Sequence, residues 1–248
     1  MLEFYKEPGI TPLQFINTIK KQYPDKKICY TARLDPMARG VIPVLFGDEC
    51  KSMALYTNFN KTYEVKVMIG LKTDSDDVLG ILENNSLEIE PIEINTLESY
   101  LKSYFEIKNE ITNNVITQKF HYFSTKALLA RSKGNFTEQN HNVKLFSSKI
   151  IDRGELNLTL WINECISIID KVDKSKNFRQ KEIIEQWQNL VDKEKYKESE
   201  IGVKNIKYIT LQLHVGSGFF VRQFIRDISD KIGIPLMCYD IHRVSLSF

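Results

Sequence analysis

The sequence predicts a domain of the α+β class, because it contains both strand and helix patterns. Tyr63–Ile69 and Tyr208–Val215 alternate between apolar and polar residues, as half-buried strands do. Apolar residues recur at helical spacing after Thr11 and again between Phe219 and Ile232. We therefore expect a sheet with helices packed against it.

The size and composition are those of an ordinary globular chain. Its 248 residues can form one large domain or two small ones. No apolar run is long enough to span a bilayer, and the N-terminus has no secretion signal. We therefore expect a cytoplasmic protein. The net charge of +2 neither requires nor excludes RNA, because binding depends on local clusters of charge.

The cysteines are scattered, without a C-x-x-C pair or a short Cys/His spacing. This distribution argues against a zinc site and against a disulfide framework. We interpret them as buried, reduced thiols. They are Cys29, Cys50, Cys165 and Cys238.

Helix boundaries can be placed from capping residues. Thr11 can cap a helix that starts at Pro12, and Gln14 completes a capping box. A second short helix is predicted over Thr96–Phe105. The helix after Phe219 ends at Gly233, and its arginines at positions 222 and 226 lie four residues apart, on a common face.

The segment from about 170 to 200 is predicted to contain one more helix, with a mixed charge run at its end. Trp187 is interpreted as core packing, with a partner or RNA surface as the alternative. The apolar positions that predict the helix are Ile183, Ile184, Trp187, Leu190 and Val191.

The acidic stretch GLKTDSDDVLG, residues 70–80, could be mistaken for a calcium loop. Val78 and Leu79 stand where such a loop needs a ligand and a glycine, and Asn85 replaces its closing glutamate. Local turn bonding by Asp74 and Asp76 explains the stretch without a metal.

The most informative segment is ARLDPMARGVIPVLFGDECK, residues 32–51. It places Asp35 before a proline, in a short turn that opens into the apolar run Val41–Phe46. A carboxylate held rigidly beside buried surface can be tuned as a nucleophile or a base. An isolated Asp-Pro pair would more often be a simple turn or helix cap.

This segment closely resembles the catalytic motif of TruB-type tRNA pseudouridine synthases, G-x-LDP-x-A-x-G-x-LP-x-x-x-G-x-x-TK. The residues that fill the pattern are Leu34, Asp35, Pro36, Ala38, Gly40, Val41, Pro43, Gly47 and Lys51.

Further segments resemble motifs of the same family. Residues 60–63 resemble K-x-Y, residues 70–80 resemble G-x-x-T-D-T-x-D-x-x-G, and residues 217–233 resemble KGTYIRTLI-x-DLG-x-x-LG. Residues 241–244 resemble L-R-R-T. Residues 6–11 match K-P-x-G-x-S/T in part, and residues 118–134 match Q-x-P-P-x-Y-S-A-x-K only faintly.

The resemblance implies a pseudouridine synthase fold, a largely antiparallel mixed sheet with flanking helices and a central RNA-binding cleft. It implies an isomerase that forms pseudouridine in tRNA, at uridine 55 of the T-arm stem-loop. Asp35 would be the nucleophile, Tyr63 would stack on a flipped base, and Arg222 would pair with Asp35. The residues expected to bind substrate are Tyr30, Arg33, Lys51, Lys61, Phe220 and Arg243.

We expect no cofactor and no metal, a monomer, and a single catalytic domain over residues 1–248. That domain would carry the 170–200 segment as an insertion and no C-terminal PUA domain. Tyr30 stands where the family's G-H-T-G has histidine, and Ala32 replaces the second glycine. The recognised uridine could therefore differ from position 55.

Two other functions remain open from sequence. One is an RNA-binding, tRNA-folding chaperone without chemistry. The other is an unrelated hydrolase with an aspartate nucleophile, which would need a histidine or second carboxylate beside Asp35. The histidines lie in no recognisable triad setting. They are His121, His141, His214 and His242.

Overall fold

The computed structural model describes residues 1–85, 95–104, 114–120, 139–201 and 204–247. Within these ranges it is an α+β fold. The strands are β1 Leu2–Lys6, β2 Ile28–Tyr30, β3 Arg39–Phe46, β4 Asn60–Ile69, β5 Leu71–Thr73, β6 Leu82–Asn85, β7 Val115–Phe120, β8 Gln139–Asn157, β9 Asn205–Val215 and β10 Leu236–Ser247. The helices are α1 Pro12–Gln22, α2 at 95–104, α3 Leu158–Lys171, α4 Gln180–Ile201 and α5 Val221–Ile232, with a 3₁₀ segment at Gly47–Tyr56.

The main sheet of the described residues has the order β1-β3-β10-β4-β9-β8-β7, and β2 pairs with β3 at one edge. Among these strands β10 and β3 run parallel, while the other pairs are antiparallel. A separate two-stranded sheet contains β5 and β6. The predicted fold class, a largely antiparallel mixed sheet with flanking helices, is confirmed.

Helix α1 begins as its sequence predicts. Thr11 and Gln14 form a reciprocal capping box, and Pro12 occupies the first turn. Of the apolar residues in α1, Phe15, Ile16 and Ile19 are buried, whereas Leu13 is half exposed. The cap therefore fixed where the helix starts, and packing fixed which face it buries.

Strand β4 shows the predicted period of two. Tyr63 and Val65 lie on the buried face, and Glu64 and Lys66 are only half-buried on the other. Strands β9 and β10 flank β4 on either side, so Tyr63 lies in the middle of the sheet. A residue at that position has little freedom to move.

The 170–200 segment contains the predicted helix, α4. Trp187 is fully buried and meets Trp161 of α3 edge-on, with ring centroids 5.5 Å apart. This confirms the core-packing interpretation of Trp187. The backbone of α4 continues through the charge run to Ile201, and α3 itself was not predicted. None of the helices within the described ranges is both long and apolar enough to cross a bilayer.

Candidate active site

Asp35 lies in the turn between β2 and β3. Its neighbours Leu34, Met37 and Ala38 are buried, and the Ala38 amide donates to the Asp35 carbonyl at 3.1 Å. The Asp35 side chain remains 40% exposed. The apolar anchors hold the turn against buried surface, as the sequence pattern predicts, and the carboxylate itself is partly exposed to solvent.

Lys6, at the end of β1, is hydrogen-bonded to the turn that carries Asp35. Its ammonium donates to the carbonyl oxygens of Pro36 at 3.1 Å, Ala38 at 2.6 Å and Glu7 at 2.9 Å. Lys6 is fully buried, and burial lowers its pKa to about 7, although nearby Asp35 opposes the change. Lys6 thus fixes the backbone on the C-terminal side of Asp35.

Arg243, in β10, fixes the same turn from another direction. Its guanidinium donates to the carbonyl of Val41 at 2.8 Å and to that of Arg33 at 3.4 Å. Arg243 is fully buried, so in this conformation its donors face the protein rather than RNA. We therefore reassign Arg243 from substrate binding to positioning of the backbone on both sides of Asp35.

Arg222, in the first turn of α5, joins two carboxylates. Its Nη2 lies 2.9 Å from Oδ2 of Asp35, and its Nη1 lies 3.2 Å from Oδ2 of Asp77 and 3.1 Å from the Ser75 carbonyl. The expected pairing of Arg222 with Asp35 is therefore present. Burial disfavours the charge on Arg222, but Asp35, Asp77 and Asp76 outweigh it and raise its pKa. The guanidinium stays charged.

Each aspartate of the 70–80 turn pairs with a different arginine. Asp76 receives two bonds from Arg226 at 2.8 and 2.9 Å, and Asp77 pairs with Arg222. Asp74 binds Arg179 at 2.6 Å. The proposed turn bonding holds for Asp74, which accepts from the Ile81 amide, but Asp76 instead holds α5. The turn serves as an anchor for both arginines of α5.

Tyr63 faces the site from β4. It is 6% exposed, and the charges of Arg243 and Asp35 act on its phenol. Burial raises the pKa of Tyr63, so the phenol keeps its proton at neutral pH. The structure thus brings Asp35, Tyr63 and Arg222 into one cluster from three distant parts of the chain.

Gln118 fixes the start of α5. Its side-chain amide donates to the Phe220 carbonyl at 2.9 Å and accepts from the Phe220 amide at 2.9 Å. Gln118 is fully buried, and Phe220 is the half-buried residue that precedes α5. Strand β7 therefore sets the position from which Arg222 reaches Asp35.

The other predicted contact residues lie in varied settings. Arg33 is exposed beside the turn, and Tyr30 is half-buried in β2. Lys61 is buried, and its ammonium donates to the Phe59 carbonyl at 2.6 Å. The Lys51 side chain is 74% exposed and pairs with Asp48. Their roles in binding stay predictions, and family-like positions at 121–138 lie outside the described residues.

Three contributors to the site were not assigned a role from sequence. Lys6 belongs to a partial motif, Asp77 was grouped with a surface turn, and Gln118 lies in a faintly matching stretch. Their positions in those motifs were the available signal, but their contacts are long-range. Among the described residues, no group of three His, Cys, Asp or Glu side chains could hold a metal ion.

The fold is that of a pseudouridine synthase. A chain in the crystal structure of a Cbf5–Nop10–Gar1 complex matches 98% of this chain, with a TM-score of 0.50 and 12% sequence identity. This chain covers 47% of that one. At this level of identity the likeness concerns the fold alone.

Sequence comparison identifies the family of pseudouridine synthases to which the chain belongs. Residues 20–163, more than half of the chain, match the model of the TruB family pseudouridylate synthase, N-terminal domain. The chain belongs to the TruB family, as its motifs indicate.

Curated relatives are named tRNA pseudouridine synthase B. The protein from Blochmanniella pennsylvanica is 36% identical over 108 residues, which are 43% of this chain and 40% of that relative. The protein from Leptospira interrogans is 24% identical over 246 residues, 99% of this chain and 64% of that relative. The chain thus spans less than two thirds of the length of these relatives.

Proposed function

We propose that the protein converts uridine to pseudouridine in tRNA, with uridine 55 of the T-loop as the target. The observation that carries the proposal is the ion pair between Asp35 and the buried Arg222, with Tyr63 beside it. Family membership and the names of the relatives support the same activity.

The reaction moves one bond and one proton. The bond between uracil N1 and ribose C1′ breaks, the base turns, and C5 bonds to C1′. The C5 proton leaves and N1 gains one, so no atom is lost. Because the target uracil lies within folded RNA, we propose that it is flipped into the pocket. Every step needs positioned groups rather than an oxidant or a reductant.

Asp35 supplies the reactive carboxylate. It acts as a nucleophile on the sugar or base, or it assists glycal formation, and each route requires the ionised form. The guanidinium of Arg222 holds the carboxylate through a charge-assisted bond. Arg222 engages Oδ2 at 2.9 Å. We therefore assign the reaction to Oδ1, the oxygen that this ion pair leaves out.

Tyr63 forms the inner wall of the proposed pocket. A flipped uracil would stack on its ring, and its hydroxyl would relay the proton from C5. Phe220 has no hydroxyl and packs only. Exposed Arg33 and Lys51 would meet the RNA backbone, and Tyr30 would stack in place of the family's histidine. The substrate is thus approached from the face on which Asp35 is exposed.

The test is to incubate the protein with an unmodified tRNA transcript and map pseudouridine. We expect product at uridine 55 and none from Asp35→Asn. Asp48→Asn, at a 92% exposed carboxylate of the same motif, should act like the wild type. Product at another uridine would overturn the target. No product on any transcript from folded protein would overturn the isomerase.

The same variant separates catalysis from a chaperone role. A chaperone without chemistry would promote tRNA folding equally well with Asp35→Asn and would form no pseudouridine in either version. An isomerase loses all product in Asp35→Asn. A protein that only binds RNA would therefore promote tRNA folding without forming pseudouridine.

A further inference from the structure

Two cysteines that are well separated in the sequence, Cys29 and Cys50, both lie beside Leu45 of β3. Cys29 lies in β2, and its partner in register on β3 is Leu45. Cys50 lies in the 3₁₀ segment that follows β3, and its Sγ is 3.3 Å from the carbonyl of that same Leu45. Both cysteines therefore lie next to Leu45. No sequence motif links these two cysteines.

The backbone around the pair is held in place. The Gly47 amide donates to the Lys27 carbonyl at 2.8 Å, which ties the start of the 3₁₀ segment to the entrance of β2. Cys50 Sγ also lies 3.7 Å from that Lys27 carbonyl. A disulfide forms without strain only between cysteines that are held close together, and this backbone keeps both cysteines beside Leu45.

Each of the two cysteines replaces a different residue of the family's motif patterns, and both replacements lie beside Leu45. Cys29 stands where G-H-T-G begins with glycine, and Cys50 stands where T-K has threonine. Neither thiol takes part in the chemistry assigned to Asp35. Both are half-buried, whereas Cys165 and Cys238 are buried.

We propose that Cys29 and Cys50 form a site of reversible disulfide formation with small-molecule disulfides such as oxidised glutathione. The Cys50 thiolate attacks the glutathione disulfide, breaks its S–S bond and releases one glutathione thiol. The Cys29 thiolate then attacks the Cys50 sulfur, forms the Cys29–Cys50 bond and releases the second. The protein loses two electrons and two protons, which reduce glutathione.

The order of attack follows from the surroundings. Cys50 lies among exposed residues of the 3₁₀ segment, where a small disulfide can approach. Burial, together with the neighbouring Cys50 thiol, raises the pKa of Cys29 to about 11, so little of Cys29 is thiolate at neutral pH. Because the thiolate is the attacking form, we expect cross-linking to quicken as the pH rises from neutral towards that value.

The product would close a loop from residue 29 to residue 50 that contains the whole Asp35 turn. Such a cross-link restricts the unfolded chain. We therefore expect the oxidised protein to melt several degrees higher than the reduced protein. The proposal does not depend on the catalytic assignment, because the cross-link and the melting temperature are measured without RNA.

The experiment treats the full chain with oxidised glutathione, alkylates it under native conditions and maps the peptides by mass spectrometry. We expect a Cys29–Cys50 cross-linked peptide that dithiothreitol reverses, with Cys165 and Cys238 left as internal controls in thiol form. Cys29→Ser should stop at a mixed disulfide on Cys50, and Cys50→Ser should stay unmodified. Four free thiols, a lasting mixed disulfide in the wild type or unchanged melting would overturn the proposal.

Discussion

Three cations of the sheet, Lys6, Lys61 and Arg243, are buried, and none of them pairs with a carboxylate in the described residues. They hold backbone carbonyls instead. Burial lowers the pKa of Lys61 to about 8, and the neighbouring Arg243 adds to the effect. The fold therefore holds positive charge in buried positions, at a cost to stability.

The lowered pKa of Lys61 predicts that the effect of Lys61→Met on the free energy of unfolding depends on pH. Between the folded pKa of about 8 and the ordinary value of 10.5, the unfolded wild type binds more protons than the folded one. Wild-type stability therefore gains from this group as the pH rises through that window. We expect Lys61→Met to be the more stable protein below pH 8, and its advantage to shrink by roughly 2 kcal/mol by about pH 10.

Urea unfolding at both ends of the window measures the difference. Lys51→Met is the control, because the side chain of Lys51 is 74% exposed and should show no such trend. An advantage of Lys61→Met that stays constant with pH would contradict the lowered pKa.

At the scale of elements, Gln118 of β7 and Gly40 of β3 determine how the parts of the site meet. Gln118 binds both backbone groups of Phe220. Gly40 adopts φ +117, and a Cβ there would lie 2.2 Å from the carbonyl oxygen of Arg243. One residue thus sets the start of α5, and the other lets β3 and β10 approach closely.

Gln118→Met should lose both bonds to the Phe220 backbone, although the Phe220 carbonyl keeps its bond from the Phe224 amide at 3.0 Å. We expect a loss of roughly 2–4 kcal/mol in the free energy of unfolding and a slower reaction, since Arg222 follows Phe220. Thr117→Val, at the exposed neighbouring position, should change stability by less than about 0.5 kcal/mol. Equal stability of the two variants, by chemical unfolding, would refute the role of Gln118.

Gly40→Ala should cost roughly 3 kcal/mol or more, because strain at positive φ is added to a backbone clash. Gly47→Ala is the matched control, since Gly47 also has positive φ but has nothing within 4 Å of a Cβ. It should cost about 1 kcal/mol. Thermal or urea unfolding separates the two, and similar losses would mean that β3 can move away from β10.

At the scale of the whole molecule, the 70–80 turn connects the sheet to α5. Asp76 is fully buried and binds Arg226, and its carbonyl accepts from the Cys238 amide of β10 at 2.9 Å. Burial raises the pKa of Asp76 to about 7, against the pull of Arg226. Removing one partner of this pair should therefore destabilise the protein strongly, although the intact pair adds little net stability.

Arg226→Met should destabilise the protein by roughly 3–5 kcal/mol, because it leaves the Asp76 charge buried and unpaired. Adding Asp76→Asn should recover part of that loss, since the charge disappears as well. A double-mutant cycle by urea unfolding measures the coupling. Additive losses would show that the two residues act independently.

Sequence predicted local features well. The capping box of α1, the alternation in β4 and the end of α5 at Gly233, which has φ +72, depend on neighbours within a few residues. The partners of Lys6 in the Asp35 turn, and those of Arg243 and Gln118, lie tens to hundreds of positions away, and no local pattern specifies them. The sequence therefore named Asp35, Tyr63 and Arg222, whose catalytic roles stay predictions, and missed the residues that hold them.

The most direct measurement compares tRNA affinity and the single-turnover rate of pseudouridine formation for the wild type and Asp35→Asn. We expect similar affinity, because Asp35 is one partly exposed side chain, and a fall in rate of at least about 10⁴-fold, because the reacting carboxylate is gone. If Asp35→Asn forms pseudouridine at the wild-type rate, the assignment of Asp35 as the reactive group is wrong.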